Sequence, residues 1–343
     1  MYQFQCDYSE GAHPRILERM FQTNFEQTPG YGEDHYCAAA REAVRKAIGR
    51  NDVDVHFLVG GTQANATVIS SILRPHQGVL CASTGHINVH ETGAIEHGGH
   101  KVLALPATDG LLEAGQITQA MMEHLSEDGP EHTVQPGMVY ISFSSEVGTI
   151  YTLAQLKEIR QVCDQYRLPL FIDGARLGYG LCSDGCDVTL ADIASVADVF
   201  YIGGTKQGAL FGEAVVIVND SLKRDFRYFI KQNGGMLAKG RLLGIQFLTL
   251  FEDGLYFDLS RHAIGQAMRI REAFRAKGFD FLVDSPSNQQ FPILDNKTIE
   301  RLSKDFRFSV WQKVDQEHTA VRFCASWATR PEAVDALLSA LDQ

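Results

Sequence analysis

Short apolar runs alternate with stretches whose apolar residues recur at helical spacing. The runs Val53–Val59, Val79–Ala82, Lys101–Leu105, Met138–Phe143, Leu170–Ile172, Val199–Ile202 and Ala214–Val218 are expected to be strands. Between them, helices are expected over about Thr62–Leu73, near Asn88–His97, over Ile117–Leu125 and over Leu153–Tyr166. Such a rhythm points to an α/β fold, in which a mostly parallel sheet lies between helices.

After Ser221 the pattern changes. Helices are expected over Ser221–Gln232, after the Gly234-Gly235 break, and over Asp258–Lys277. Strand-like segments follow at Gln290–Leu294, Arg307–Trp311 and Ala320–Ala325. A last helix, Pro331–Leu341, carries its proline in the first turn, where no backbone donor is lost. The expected organisation is a large unit over residues 1–243 and a small α+β unit over 244–343, meeting near Gly244.

The chain has 343 residues, 45% hydrophobic and 21% charged, which is ordinary globular composition. The net charge of −11 argues against a basic nucleic-acid surface. No apolar run reaches the ~18 residues of a membrane span. The start, Met1-Tyr2-Gln3-Phe4-Gln5-Cys6-Asp7, lacks the basic and apolar regions of a secretory signal. The seven cysteines are scattered, with no Cys-x-x-Cys pair, and read as reduced thiols of a cytoplasmic protein.

Three segments carry chemistry. Val59-Gly60-Gly61-Thr62-Gln63-Ala64-Asn65 lies between a strand and a helix. It is either a phosphate cradle at a helix start or a plain turn capped by Thr62. Phe171-Ile172-Asp173-Gly174-Ala175-Arg176 places a carboxylate at the carboxyl end of a buried strand, where open α/β sheets bind ligands; a local Asp–Arg pair is the alternative. Ile202-Gly203-Gly204-Thr205-Lys206 sets a lysine among glycines after another buried strand. Desolvation there lowers an amine's pKa and makes it nucleophilic. Together, a phosphate cradle, an aspartate and a buried lysine are what pyridoxal 5′-phosphate requires.

The order Tyr31-Gly32-Glu33-Asp34, Gly61-Thr62, Gly85-His86-Ile87, Asp173-Gly174-Ala175-Arg176, Lys206 and Arg322 resembles the threonine aldolase and β-eliminating lyase group of fold-type-I pyridoxal phosphate enzymes. The resemblance spans nearly the whole chain. It implies that Lys206 carries the cofactor, Gly61 and Thr62 bind its phosphate, His86 stacks on its ring and Asp173 pairs with the ring nitrogen. It further implies that Arg176 and Arg322, with Ser9, grip the substrate carboxylate. Tyr31 would approach the site from a neighbouring subunit of a homodimer or homotetramer. Of the basic residues after Gly235, Lys239 or Arg241 would take the place of a phosphate-contacting arginine.

The implied activity is cleavage of the Cα–Cβ bond of a β-hydroxy-α-amino acid, with β-elimination or transamination as alternatives. A non-catalytic protein of the same fold, or a nucleotide binder using Gly60-Gly61, are rivals from other classes. Where the family commonly has a histidine after the central strand, Ser142-Phe143-Ser144-Ser145-Glu146 has none, so Glu146 or His90 is the candidate base. His86, His90 and Glu91 suggest a metal pair, but no third histidine is placed to complete it, and no metal is expected.

Overall fold

The computed structural model describes residues 1–342. Its N-terminal strand is β1 (Tyr2–Gln3). The large unit is built on β2 (Asp54–Leu58), β3 (Gln77–Ala82), β4 (Lys101–Leu105), β5 (Gln135–Ser142), β6 (Leu170–Asp173), β7 (Val199–Gly203) and β8 (Glu213–Ile217). These form one sheet in the order β2-β8-β7-β6-β5-β3-β4. Strands β7, β6, β5, β3 and β4 run parallel, and β8 is antiparallel to both its neighbours. Every residue of β6, β7 and β8 is buried, which explains their unbroken apolar runs.

One core fills the side of the sheet that carries Val139, Ile141, Ile172, Phe200 and Ile202. The opposite side carries Tyr140, Phe171 and Tyr201 against helix Gly61–Ile72. Three parallel strands therefore end side by side, with Ser142 beside Asp173 in register. Gly174 follows because a Cβ there would stand 1.8 Å from the Tyr201 carbonyl oxygen.

The second unit holds β9 (Gln289–Gln290), β10 (Ile293–Asp295), β11 (Phe306–Arg307), β12 (Ser309–Lys313) and β13 (His318–Cys324). Strand β13 pairs antiparallel with β9, β10 and β12, while β11 pairs with β1. Its core joins Phe4 to Ile270, Phe274, Phe306, Phe323 and Val334. Strand β1 and Phe4 thus pack with this unit, whereas Ala12 and Ile16 join the large core. Gly244 lies within helix Arg241–Phe251, where a Cβ would meet the Cys37 backbone at 2.6 Å. Phe247, Leu250, Leu255 and Leu259 belong to the large core and Ile270 and Phe274 to the small one. We propose that the two units divide within helix Leu255–Ala276.

Two expected helices differ. The segment near Asn88–His97 is two short helices, His86–Val89 and Ala94–His97, interrupted where Thr92 and Gly93 take left-handed φ of 54° and 71°. Ser221–Gln232 is a 3-10 turn at Asp220–Leu222 followed by helix Phe226–Gln232, separated by Asp225 at φ 63°. Helices Pro14–Gln22, His35–Ile48 and Leu190–Val196 were not expected. Among the described residues no helix is long and apolar enough to cross a membrane.

Candidate active site

The carboxyl ends of β5, β6 and β7 open into a cavity of about 370 Å³, lined among others by Gly61, Thr62, His86, Glu146, Asp173 and Lys206. It adjoins a second space of about 560 Å³ lined by Tyr8, His90, Trp311 and Arg322. His86, Glu146, Arg176 and Lys206 face both.

Asp173 is the last residue of β6 and is buried. Its Oδ1 accepts from the Ala175 N–H at 2.9 Å and from the Tyr201 hydroxyl at 2.5 Å. Its Oδ2 accepts from the Tyr140 hydroxyl at 2.5 Å and from Asn65 Nδ2 at 3.1 Å. Burial alone would raise its pKa; the nearby His86 charge and these donors outweigh that and hold it below the ordinary value. The carboxylate is thereby kept anionic although it is buried.

Asn65 Nδ2 also donates to Glu91 Oε1 at 2.7 Å, and the same oxygen meets His86 Nδ1 at 2.8 Å. Glu91 and Asn65 thus support His86 from below. In the sequence, Glu91 stood only as a metal-ligand candidate, and Asn65, the last residue of the Val59–Asn65 segment, had no role of its own. The signal for Asn65 was an amide on the buried face of helix Gly61–Ile72, beside Ala64, Thr67 and Val68. His86 and His90 have ring centroids 5.5 Å apart. Among the described residues no three His, Cys, Asp or Glu gather to hold a metal ion.

Lys206 sits in the loop from β7 to β8. Gly204 and Thr205 donate backbone bonds to the Gly212 carbonyl, and Glu213 accepts from the Gly204 N–H and the Thr205 hydroxyl at 3.0 and 2.9 Å. Glu213 is the acidic first residue of an otherwise apolar strand and was also passed over. Burial pushes its carboxyl up to about 8. Burial and then the Arg176 charge lower the Lys206 pKa, with Asp7, Asp173 and Glu213 offsetting part of that. Such an amine spends more of its time neutral.

Helix Gly61–Ile72 begins after Gly60 with no side-chain cap, so Thr62 does not serve as one. Its first residues, Gly61 and Thr62, line the cavity, where the free N–H groups of a helix start favour an anion. A Cβ on Gly61 would lie 3.1 Å from the Tyr201 hydroxyl oxygen, so glycine lets this helix start approach the floor.

Glu146 Oε1 accepts from the His86 N–H at 2.9 Å and the Ser142 hydroxyl at 2.7 Å. Burial raises its pKa, and those donors only partly counter it. Arg176 forms a two-bond fork with the buried Asp7. Arg322 donates to Gln289 Oε1 at 3.2 Å and the Gln5 carbonyl at 3.0 Å, and its guanidinium lies 5.1 Å from the Trp311 ring centroid.

Other expected residues lie elsewhere. Ser9 is exposed, with its hydroxyl 3.2 Å from Cys6 Sγ, and it is Tyr8 that lines both spaces. Tyr31 is 47% exposed at φ 60°, outside its own chain's cavity, with Lys231 Nζ 4.9 Å from its ring centroid. Arg241 is bound to the carbonyls of Glu26 and Asn24, and Lys239 is exposed.

The donor set fits pyridoxal 5′-phosphate: a helix start without side-chain caps, an anionic buried carboxylate, an imidazole and a depressed amine share one cavity. The family model of the β-eliminating lyases matches residues 3–286. The low specificity L-threonine aldolase of Pseudomonas sp. (strain NCIMB 10558) is 30% identical over 336 residues, 97% of this chain and 94% of that protein. A solved threonine aldolase structure from Leishmania major superposes with a TM-score of 0.97 at 44% identity, covering 100% of this chain and 99% of that one. The histidinol-phosphate aminotransferase of Clostridium acetobutylicum, at 12% identity with a TM-score of 0.75 over 99% and 98% of the two chains, shares the fold. The chain belongs to the β-eliminating lyase family.

Proposed function

We propose that this protein is a pyridoxal phosphate-dependent lyase that cleaves the Cα–Cβ bond of β-hydroxy-α-amino acids, with L-threonine giving glycine and acetaldehyde. The observation that carries the reading is the meeting of Lys206, Asp173, His86 and the Gly61–Thr62 helix start on one cavity. The threonine aldolase relatives supply the reaction class.

Bound cofactor supplies a sink for the electron pair left on Cα when the bond to Cβ breaks. Lys206 would hold it, Gly61 and Thr62 would bind its phosphate, His86 would cover its ring, and Asp173 would hold its ring nitrogen protonated. Arg322 would orient the substrate carboxylate, with Arg176 beside it. Glu146 would accept the β-hydroxyl proton, since a carboxyl with a raised pKa is a stronger base once ionised.

Reduction of the holoenzyme with borohydride tests the cofactor assignment. The cofactor mass should be fixed on the peptide containing Lys206; a mass on Lys239 or Lys223 would contradict it.

A homodimer or homotetramer is part of this proposal. Tyr31 is half exposed away from its own cavity, and Phe21, Phe25 and Tyr228 stand 84%, 96% and 76% exposed. Sedimentation of a fully active monomer would contradict it. A cytoplasmic location is proposed from the seven unbridged cysteines, and fractionation of the source cells checks it.

A further inference from the structure

We propose that Tyr140 and Tyr201 are positioning residues, a phenol clamp that sets the basicity and plane of Asp173; this rests on the cofactor reading above. Strand geometry builds the clamp. Parallel β6 and β7 pair Phe171 with Val199, so two residues on, Asp173 lies beside Tyr201 on the same face. On the other flank β5 pairs Tyr140 with Phe171 and Ser142 with Asp173, so Tyr140 reaches diagonally. Both rings are fully buried, and their hydroxyls take opposite oxygens of the carboxylate, each at 2.5 Å.

With Ala175 N–H and Asn65 Nδ2, four donors occupy the four lone-pair directions of Asp173. A ring N–H reaching this carboxylate has to share a direction with one of them. Only the two phenols can rotate a proton aside; the backbone N–H and the amide are fixed by β6 and by Glu91. Tyr201 also lines the cavity, next to Gly61. The charged and titratable groups around Asp173 from the other elements are His86 and Glu91, Glu146 after β5, Lys206 after β7, and Glu213 on β8. Among the described residues the side-chain donors to Asp173 are these two tyrosines and Asn65, all neutral.

A hydrogen bond to the ionised form lowers a carboxyl pKa, so removing a phenol raises it. Ionised Asp173 is the form that holds a protonated ring nitrogen. The variants should therefore lose cofactor at higher pH on acidification than the wild type. The test follows bound pyridoxal 5′-phosphate absorbance, after desalting, between neutral and acid pH in wild type, Tyr140→Phe, Tyr201→Phe and the double variant. Each single change should move the midpoint of loss upward by about half a pH unit, and the double change by about one. Far-ultraviolet circular dichroism over the same range separates cofactor loss from unfolding, and the singles, which keep three donors, serve if the double variant does not fold. Identical midpoints in wild type and singles would overturn the clamp and leave the tyrosines as packing. Wild-type protein that binds no pyridoxal phosphate would overturn the cofactor reading and this proposal with it.

Discussion

Arg176 and Asp7 lock together across the wall of the site, Nε to Oδ2 at 2.7 Å and Nη2 to Oδ1 at 3.0 Å. Asn288 Nδ2 takes the same Oδ2 at 2.9 Å. The guanidinium is nearly buried and its charge is already matched. Arg322, in contrast, meets only neutral acceptors, and its Nε has no partner. Of the two arginines expected to grip a carboxylate, Arg322 is the one with charge to offer.

Arg322→Lys should raise KM for L-threonine at least about tenfold while leaving the cofactor absorbance unchanged, because an ammonium does not reproduce the two-pronged fork. Steady-state kinetics at saturating cofactor check this. An unchanged KM would return Arg322 to a purely structural role beside Trp311.

Asp7→Asn should cost about 3 kcal/mol of stability at neutral pH, since it leaves a buried guanidinium unpaired. Burial raises the Asp7 pKa, but the Arg176 charge and then Lys206 outweigh it and bring the carboxyl from 3.8 to about 2. A lowered folded pKa gives stability that is present above the unfolded value and lost as pH falls through the folded one. The gap between wild type and variant in urea midpoint should thus narrow as pH falls from about 4 toward about 2. A gap that stays constant over that range would contradict the pairing.

Glu146→Gln should retain cofactor yet lower kcat for aldehyde release about a hundredfold, the usual contribution of one positioned base. With its pKa raised by burial, ionisation of Glu146 places the acid limb of the wild-type kcat profile above the ordinary 4.5. That limb should be absent in the variant. If His90→Asn abolishes the limb and Glu146→Gln does not, the base is His90, whose ring faces the same space.

The sheet was legible because β6, β7 and β8 are buried on both faces and read as unbroken apolar runs. Asp173 and Lys206 stood out for a related reason, since Asp173 ends such a run and Lys206 follows one, whereas Gly61 follows the half-buried β2 and opens the next helix. What pairs with them was not legible. Glu91, Asp7 and Glu213 carry no local mark of their partners, which for Asp7 lie 169 and 281 residues away, and Asn65 shows only as an amide on the buried face of its helix. Tyr140 and Tyr201 read as strand aromatics, because their rings pack with Phe171 and only their hydroxyls belong to the site. Ser9 failed by register: the chain turns at Asp7, so Tyr8 faces the cavities and Ser9 faces solvent.

The central claim is tested most directly by the products that the pyridoxal phosphate-loaded enzyme releases from L-threonine. Glycine and acetaldehyde should appear in equal amounts, and both should vanish with Lys206→Ala. Release of 2-oxobutanoate and ammonia instead, with no aldehyde from L-threonine or any other β-hydroxy amino acid, would contradict Cα–Cβ cleavage and assign the site to β-elimination.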